Sequence, residues 1–140
     1  MLNNWDKSLQ LLLKHEGGFV NHPKDPGGMT NLGVTKKTWE GYVGHVVSEA
    51  EMRALTPAKV EPLYKARYWN MVRCDELPAG VDYCVFDTCV NSGPHKAILF
   101  LQDALGAKMD GQLGPLTLAA VDAHAPIQLI SAYTTARYLS

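Results

Sequence analysis

The sequence predicts a mainly α-helical fold, with residues 1–140 forming a single domain. Apolar residues near the start of the chain recur at helical spacing, at Trp5, Leu9, Leu12 and Leu13. Short segments that begin with capping residues and end at glycine follow one another along much of the remaining chain. Residues 19–34 differ, because they hold two prolines and three glycines without a helical period. We therefore expect a loop or a small irregular β-hairpin there.

Start and stop signals in the N-terminal half of the chain predict four helices. The first helix is predicted to run from Asn4, a good N-cap residue, to His15, where the two glycines that follow Glu16 end it. Later start signals predict three short helices, at Thr35 (through Tyr42), at Ser48-Glu49-Ala50-Glu51 and at Thr56-Pro57. Pro62 is expected to kink the third of these helices or to move its start.

The second half of the chain is predicted to consist of four further helices. One begins at Pro78, is apolar on most sides and should form the buried centre of the domain. The others begin after Gly93, Gly114 and Ala125, each with proline at the first helical position. The last helix is still running at Ser140, which leaves a longer natural chain open. Because Gly93-Pro94 is a turn and not a linker, residues 94–140 are expected to pack on residues 1–93.

Composition and charge exclude several classes of protein. A hydrophobic content of 46% with 19% charged residues is typical of a soluble globular domain, and a net charge of −1 argues against a nucleic-acid-binding protein. No apolar run is long enough for an integral membrane segment, and the first residues lack the pattern of a signal peptide. We therefore expect a monomer that is made in the cytoplasm and reaches the outside of the cell by another route or after lysis.

Cysteine and histidine patterns argue against metal, cofactor and thiol chemistry. The three cysteines, Cys74, Cys84 and Cys89, include no CxxC pair, so we expect neither a disulfide framework nor a cysteine zinc site. The five histidines include no HExxH motif, and no metal or other cofactor is expected. A Cys–His hydrolase would need Cys74 or Cys89 exposed beside a histidine, and we expect each of them to be buried or without such a neighbour. Cys84 and Cys89 lie in an apolar segment, where a free cysteine behaves as a small hydrophobic residue.

Glu16 is the candidate catalytic acid. Counting four residues on from Leu12 puts it on the apolar face of the first helix, at the last turn. Partial burial and the negative end of the helix dipole both disfavour its charged form, so its pKa is predicted to be raised, as a general acid working near neutral pH requires. The alternative is a helix-end glutamate that pairs with Lys14 or Lys24.

The loop after this helix supplies the other groups that cleavage of a glycosidic bond needs. Beside an acid that protonates the leaving oxygen, a second group must assist the oxocarbenium-like centre or activate water. Asp25 is the candidate, because the glycines and prolines between it and Glu16 let the chain fold back. Gly27 and Gly28 would let a sugar ring approach the backbone closely, and the Thr30 hydroxyl could hold a water molecule. Taken alone, Asp25-Pro26-Gly27-Gly28 is better explained as a turn in which Asp25 bonds its own backbone. The pairing of Asp25 with Glu16 across one loop is what favours the functional interpretation.

Several motifs follow one another in a fixed order. They are Glu16-Gly17-Gly18-Phe19, Asp25-Pro26-Gly27-Gly28-x-Thr30-x-x-Gly33-Val34-Thr35, Tyr64, Tyr68-Trp69, Phe86-Asp87 and Val90-Asn91-Ser92-Gly93-Pro94. Together they resemble glycoside hydrolase family 108, a family of N-acetylmuramidases common as phage endolysins. Leu101-Gln102-x-x-Leu105-Gly106 and Asp110-Gly111-x-x-Gly114-Pro115-x-Thr117 resemble the peptidoglycan-binding region that follows in these proteins. The resemblance covers nearly the whole chain.

The resemblance implies a lysozyme-like helical fold that cleaves the bond between N-acetylmuramic acid and N-acetylglucosamine in bacterial peptidoglycan. Residues 1–93 would be the catalytic region, with Glu16 as the acid, and residues 94–140 the peptidoglycan-binding-like region. Asp25 falls where the distantly similar phage-type lysozymes place an aspartate. Thr30 falls close to their threonine, with Thr35 as the alternative. An endolysin without a signal peptide would reach the wall after holin-type release or lysis.

Further substrate-binding candidates lie in the second half of the chain. Tyr64, Tyr68 and Trp69 offer flat surfaces for stacking sugars. Tyr64 and Tyr68 also match core spacing, and a core position is favoured for Tyr64. Asn91 could hydrogen-bond a sugar N-acetyl group, or it could simply end its helix. Two alternative functions stay open at this point: a lytic transglycosylase, in which Glu16 alone serves as acid and base, and a peptidoglycan-binding protein without catalysis.

Overall fold

The computed structural model describes residues 3–21 and 28–140. Within these ranges the chain forms the helices α1 (Asn4–Glu16), α2 (Lys36–Val43), α3 (Glu49–Arg53), α4 (Pro57–Tyr64), α5 (Val81–Ser92), α6 (Pro94–Leu105), α7 (Pro115–Asp122) and α8 (Pro126–Leu139). A π-helical turn (Lys65–Trp69) follows α4, and a 3₁₀ helix (Cys74–Glu76) precedes α5. Strands β1 (Val20–Asn21), β2 (Met29–Asn31) and β3 (Val34–Thr35) lie between α1 and α2. The prediction of a mainly α fold with a small β element after the first helix is confirmed.

Two compact units make up the chain. The hairpin unit is Leu9–Tyr64, and the helical unit is Lys65–Ser140 together with the N-terminal residues up to Ser8. No helix in the described part of the chain is both long enough and apolar enough to cross a membrane. The assignment of residues 1–140 to a single domain stays a prediction.

Helix α1 begins at Asn4, and the residue before it supplies the capping side chain. The cap is Asn3 and not Asn4 as predicted, because the Asn3 Oδ1 atom accepts the backbone N–H of Asp6 at 2.9 Å. The helix ends at Glu16, one residue beyond the predicted end. Gly17 has a φ of 78°, in the left-handed region that stops a helix at little cost when no Cβ is present.

The segment after α1 forms a three-stranded antiparallel sheet in the order β1-β2-β3, which adds a third strand to the predicted hairpin. Strands β2 and β3 are joined by the two-residue turn Leu32-Gly33, between the paired residues Asn31 and Val34. Both turn residues have positive φ, 54° and 78°, as a type I′ hairpin turn requires. Asn31 is buried, and its side-chain amide donates to the Met52 carbonyl at 2.9 Å, which fastens the sheet to α3.

Side-chain caps start the helices that follow the sheet in the hairpin unit. The Thr35 Oγ1 atom accepts the Thr38 N–H at the start of α2, and the Ser48 Oγ atom accepts the Glu51 N–H at the start of α3. Both capping residues are those that the sequence predicted. The core of this unit is apolar and includes Leu9, Leu12, Val34, Met52, Val60 and Leu63.

Pro62 lies inside α4 without ending it. The chain takes π-helical geometry from Lys65, and the Asn70 N–H donates to the Lys65 carbonyl at 2.8 Å, a five-residue step. Because α4 begins at Pro57, Pro62 does not move the start of the helix, and the predicted kink stays a prediction.

Helix α5 is the centre of the helical unit, and α6 and α8 both pack against it. It begins at Val81 and not at Pro78 as predicted. Gly80 has a φ of 92°, which is not helical, and the Asp82 carboxylate accepts the Gly80 N–H at 2.9 Å. This carboxylate therefore closes the turn before α5, a contact that the spacing of apolar residues does not reveal.

Three aromatic rings form one cluster in the core of the helical unit. Trp5, Trp69 and Phe86 have ring centroids 5.2 to 5.6 Å apart. Both pairs with Phe86 meet edge to face, which is a favourable arrangement for aromatic rings. The cluster joins the first residues of α1 to the π-helical turn and to α5.

Candidate active site

Glu16 lies on the last turn of α1, on the helical face that the sequence predicted. Leu9 and Leu12, at the preceding positions of that face, are 6% and 1% exposed, whereas Glu16 is partly exposed. Its carboxyl group therefore sits at the border between the apolar core and solvent. A carboxyl group in such a position can exchange a proton with a bound molecule while one side of it stays packed.

The turn between β2 and β3 contacts this carboxyl group. A methyl group built on Gly33 would lie 2.9 Å from both Cγ and Oε2 of Glu16 and 2.6 Å from the hydroxyl oxygen of Tyr64. These contacts are shorter than carbon atoms tolerate, so only glycine lets the turn approach the carboxyl group this closely. Gly33 is therefore a residue of the candidate site, a role that the motif alone did not reveal.

Tyr64 is the second site residue that sequence reasoning missed. It is 1% exposed, as its core spacing indicated, but its hydroxyl group donates to the Leu32 carbonyl at 2.6 Å. This bond holds the backbone of the turn that contacts Glu16. The signal in the sequence was a tyrosine at a core position, because a buried hydroxyl group needs a hydrogen-bond partner.

The residues predicted to assist Glu16 are described only in part. Asp25 and Gly27 lie outside the described residues, so their catalytic and substrate-binding roles stay predictions. Gly28 precedes β2 with a φ of 61°, a conformation that favours glycine. The structure thus adds a backbone reason for glycine at this position beside the predicted approach of a sugar.

The two candidate threonines are direct neighbours across the sheet. Thr30 in β2 pairs with Thr35 in β3, so both side chains project from the same face. The Thr35 hydroxyl accepts the Thr38 N–H at 3.1 Å and donates to the Thr38 hydroxyl at 2.9 Å, as the cap of α2. Since capping occupies Thr35, Thr30 is the better of the two candidates for holding a water molecule.

A cation lies beside the motif that contains Glu16. The Arg53 guanidinium group stands 4.1 Å from the centre of the Phe19 ring, a cation–π contact, and it pairs with Glu49 at 3.2 Å. Phe19 is the last residue of the Glu-Gly-Gly-Phe motif, so this contact ties α3 to the chain that leaves α1.

The candidates in the helical unit have different environments. Tyr68 is partly exposed, whereas Trp69 is 1% exposed and its indole N–H donates to Asp75 at 2.8 Å. The buried ring offers no face on which a sugar could stack, so the structure argues against the predicted binding role of Trp69. Asn91 is exposed, but its side-chain amide donates to the carbonyl and the carboxylate of Asp87, at 2.9 and 3.3 Å.

The thiol groups are protected from reaction. Burial raises the pKa of Cys89 to about 11, and burial also raises the pKa values of Cys74 and Cys84. A thiol must be ionised to act as a nucleophile, and these groups are protonated near neutral pH. In the described ranges, no group of three His, Cys, Asp or Glu side chains is arranged to hold a metal ion.

Comparisons with known proteins agree with the motifs around Glu16. Residues 9–93, more than half of the chain, match the family model described as Glycosyl hydrolase 108. The chain belongs to glycosyl hydrolase family 108. It is also similar to the solved structure of SagA from Brucella abortus, with 44% sequence identity and a TM-score of 0.81, over 95% of this chain and 76% of that one. The comparison with curated proteins yields no match.

Membership of family 108 makes the chain a glycoside hydrolase, and together with the structural neighbour it supports a peptidoglycan hydrolase. The lysozyme-like, mainly α fold predicted from the sequence is confirmed. The family match includes Glu16, Gly33 and Tyr64 and ends at Gly93. Peptidoglycan binding by residues 94–140 is not part of that match and stays a prediction.

The motif residues within 101–117, which lie beyond the family 108 match, have a structural role. Gln102 is fully buried, and its side-chain nitrogen donates to the Asp110 carboxylate at 2.9 Å, the Gln112 carbonyl at 3.0 Å and the Thr117 hydroxyl at 3.2 Å. Its side-chain oxygen accepts the Gly111 N–H at 2.9 Å. These contacts hold the loop between α6 and α7 and account for several of the motif residues without any ligand.

Proposed function

We propose that this member of family 108 is an N-acetylmuramidase that cleaves the bond between N-acetylmuramic acid and N-acetylglucosamine in peptidoglycan. The observation that carries the proposal is the position of Glu16, partly buried at the end of α1 and packed against Gly33. Such packing limits the orientations of the carboxyl group, and a general acid must be held within hydrogen-bond reach of the leaving oxygen.

In the proposed reaction Glu16 donates its proton to the glycosidic oxygen as the bond to the sugar carbon breaks. The sugar then carries positive charge shared between its ring oxygen and its anomeric carbon, and an anionic group on the other side stabilises that charge or activates water. We assign this second role to Asp25. Thr30 would orient the attacking water, since the alternative, Thr35, already caps α2.

Substrate binding is proposed for residues that leave the backbone accessible or carry partly exposed side chains. Gly27 and Gly28 would lie under a sugar ring, and Thr35 would border it. Tyr68 would offer a stacking surface and Asn91 a hydrogen bond to an N-acetyl group, for which the Asn91 amide would have to leave Asp87. Trp69 is buried and offers no ring face to a sugar, so we assign it no role in substrate binding.

The proposed setting is that of an endolysin. A monomer made in the cytoplasm would reach peptidoglycan after holin-type release or lysis and would degrade the wall from within. The net charge of −1 argues against a nucleic acid as the substrate. Residues 94–140 would complete the catalytic domain and contribute to wall binding.

The test is digestion of purified peptidoglycan by the wild type and by Glu16→Gln, with mass spectrometry of the product ends. Reducing muramic acid ends from the wild type, and none from Glu16→Gln, are expected. Glu51→Gln is the matched control, because it removes an exposed carboxylate on α3 and should leave activity unchanged. Anhydromuramyl ends would instead identify a transglycosylase, and equal product from wild type and Glu16→Gln would refute catalysis by Glu16.

A further inference from the structure

The turn between β2 and β3 contains one strained residue, and a distant side chain supports it. Leu32 has a φ of 54°, a left-handed conformation that residues other than glycine, asparagine and aspartate seldom adopt. The carbonyl group of this residue accepts the hydroxyl of Tyr64, at the end of α4, at 2.6 Å. A hydrogen bond to the strained residue opposes its relaxation, so Tyr64 helps to fix the path of the turn.

The same hydroxyl group lies where the turn meets Glu16. A methyl group on Gly33 would come within 2.6 Å of the Tyr64 hydroxyl oxygen and 2.9 Å of the Glu16 Oε2 atom. The backbone of Gly33, the hydroxyl group and the carboxyl group therefore meet at one place. Tyr64 is 1% exposed, so it can affect a bound polymer only through its neighbours.

We propose that Tyr64 is a positioning residue for Glu16. Its hydroxyl group holds the Leu32-Gly33 turn against the carboxyl group and so restricts that group to the orientation used in proton transfer. This inference rests on the proposed function of Glu16 as general acid. A displacement of about 1 Å at a catalytic group can cost roughly 10²-fold in rate. Loss of the hydroxyl group should therefore lower kcat, and KM should change little because Tyr64 does not contact substrate.

Two substitutions test whether Tyr64 acts through the turn. Tyr64→Phe removes the hydroxyl group and keeps the ring in the core. Leu32→Asn creates an Asn-Gly turn, the pair that type I′ hairpins favour, so the turn no longer needs outside support. Steady-state kinetics on purified peptidoglycan fragments should show kcat reduced about 10- to 100-fold in Tyr64→Phe. Adding Leu32→Asn to Tyr64→Phe should restore most of that loss, relative to Leu32→Asn alone.

Different outcomes separate this inference from the proposed function. Reducing ends from the wild type and none from Glu16→Gln would keep the proposed function, whatever Tyr64→Phe does. An unchanged kcat in Tyr64→Phe would overturn the positioning role. A loss that Leu32→Asn does not restore would overturn it too, because the hydroxyl group would then act without the turn.

A third variant covers the case in which Tyr64→Phe does not fold, as judged by circular dichroism. Gly33→Ala places a methyl group between the turn and Glu16 and should lower kcat with little change in KM. Wild-type kcat in a folded Gly33→Ala enzyme would overturn the positioning role, because the close contact at Glu16 would then be dispensable.

Discussion

Substitution of the buried Gln102 by glutamate should destabilise the protein without changing the shape of the side chain. In the native protein the Gln102 side-chain nitrogen donates its two hydrogens among three acceptors, and the oxygen accepts the Gly111 N–H. The accepted N–H fixes which end of the amide is the oxygen. Gln102→Glu keeps that acceptor but replaces both donated hydrogens with a second acceptor, which faces the Asp110 carboxylate.

The magnitude follows from the bonds that are lost. Each hydrogen bond contributes about 1 kcal/mol net, so two lost donors should reduce the free energy of unfolding by about 2 kcal/mol, and a buried carboxylate adds to the loss. Gln102→Glu should therefore be more harmful than Thr117→Val, which removes one weaker acceptor at 3.2 Å and should cost about 1 kcal/mol. Protonation of the introduced carboxyl group should recover part of the loss at low pH, because it regains one hydrogen to donate.

The assay is urea unfolding followed by tryptophan fluorescence. With a slope of about 1–3 kcal/mol per molar urea, the midpoint of Gln102→Glu should fall by roughly 1 M or more. The double variant Gln102→Glu with Asp110→Asn should be more stable than Gln102→Glu alone, because it removes the like charge that faces the introduced carboxylate and keeps an oxygen that can accept the Gln112 N–H. An unchanged midpoint in Gln102→Glu, or no coupling with Asp110→Asn, would refute the assigned role of this network.

Three further predictions concern other buried groups and Glu16, the candidate catalytic acid. Burial raises the pKa of Asp82, against hydrogen bonds from Tyr83, Gly80 and Asn4 that lower it. The folded protein therefore retains this proton at pH values where the unfolded chain has lost it, and stability should decline as pH rises from the unfolded pKa through the folded one. Asp82→Asn keeps an acceptor for the Gly80 and Tyr83 N–H groups and should flatten that decline in melting temperatures measured across the range, whereas an identical pH dependence would contradict the argument. The three thiols should react slowly with Ellman's reagent at about pH 8 in the native protein and rapidly after unfolding, and fast native labelling of the buried Cys89 would contradict its raised pKa. Glu16→Gln should abolish the release of reducing ends while the melting temperature stays within a few degrees of wild type, and a large loss of stability would mean that Glu16 serves the fold.

Much of the fold could be predicted from the sequence because helix boundaries depend on nearby residues. Thr35 and Ser48 cap their helices through backbone groups three residues away, and Gly17 ends α1 through its own φ. Helical periodicity also relates residues only three or four positions apart, and it placed Glu16 correctly on the apolar face of α1. The predicted start of α5 was wrong by three residues. The Asp82 carboxylate accepts the Gly80 N–H and closes a turn before the helix.

The candidate site could be predicted only as far as its local motif. Glu16 could be singled out because the end of α1, its apolar face and the two glycines that follow lie within a few positions of one another. Trp69 was predicted to bind substrate because its flat ring offers a surface on which a sugar can stack. Only its packing against Trp5 and Phe86 shows that it belongs to the core.

The sequence by itself therefore determined the mainly helical class, the positions of most helix starts, the loop after α1 and the choice of Glu16 as the candidate acid. The tertiary structure alone decided that Gly33 and Tyr64 meet the Glu16 carboxyl group and that Gln102 holds a loop. The physical reason is the range of the interactions. Capping and helical periodicity act over three or four residues, whereas the Tyr64 hydroxyl bonds a carbonyl group 32 residues away. Such a contact exists only once the core has packed.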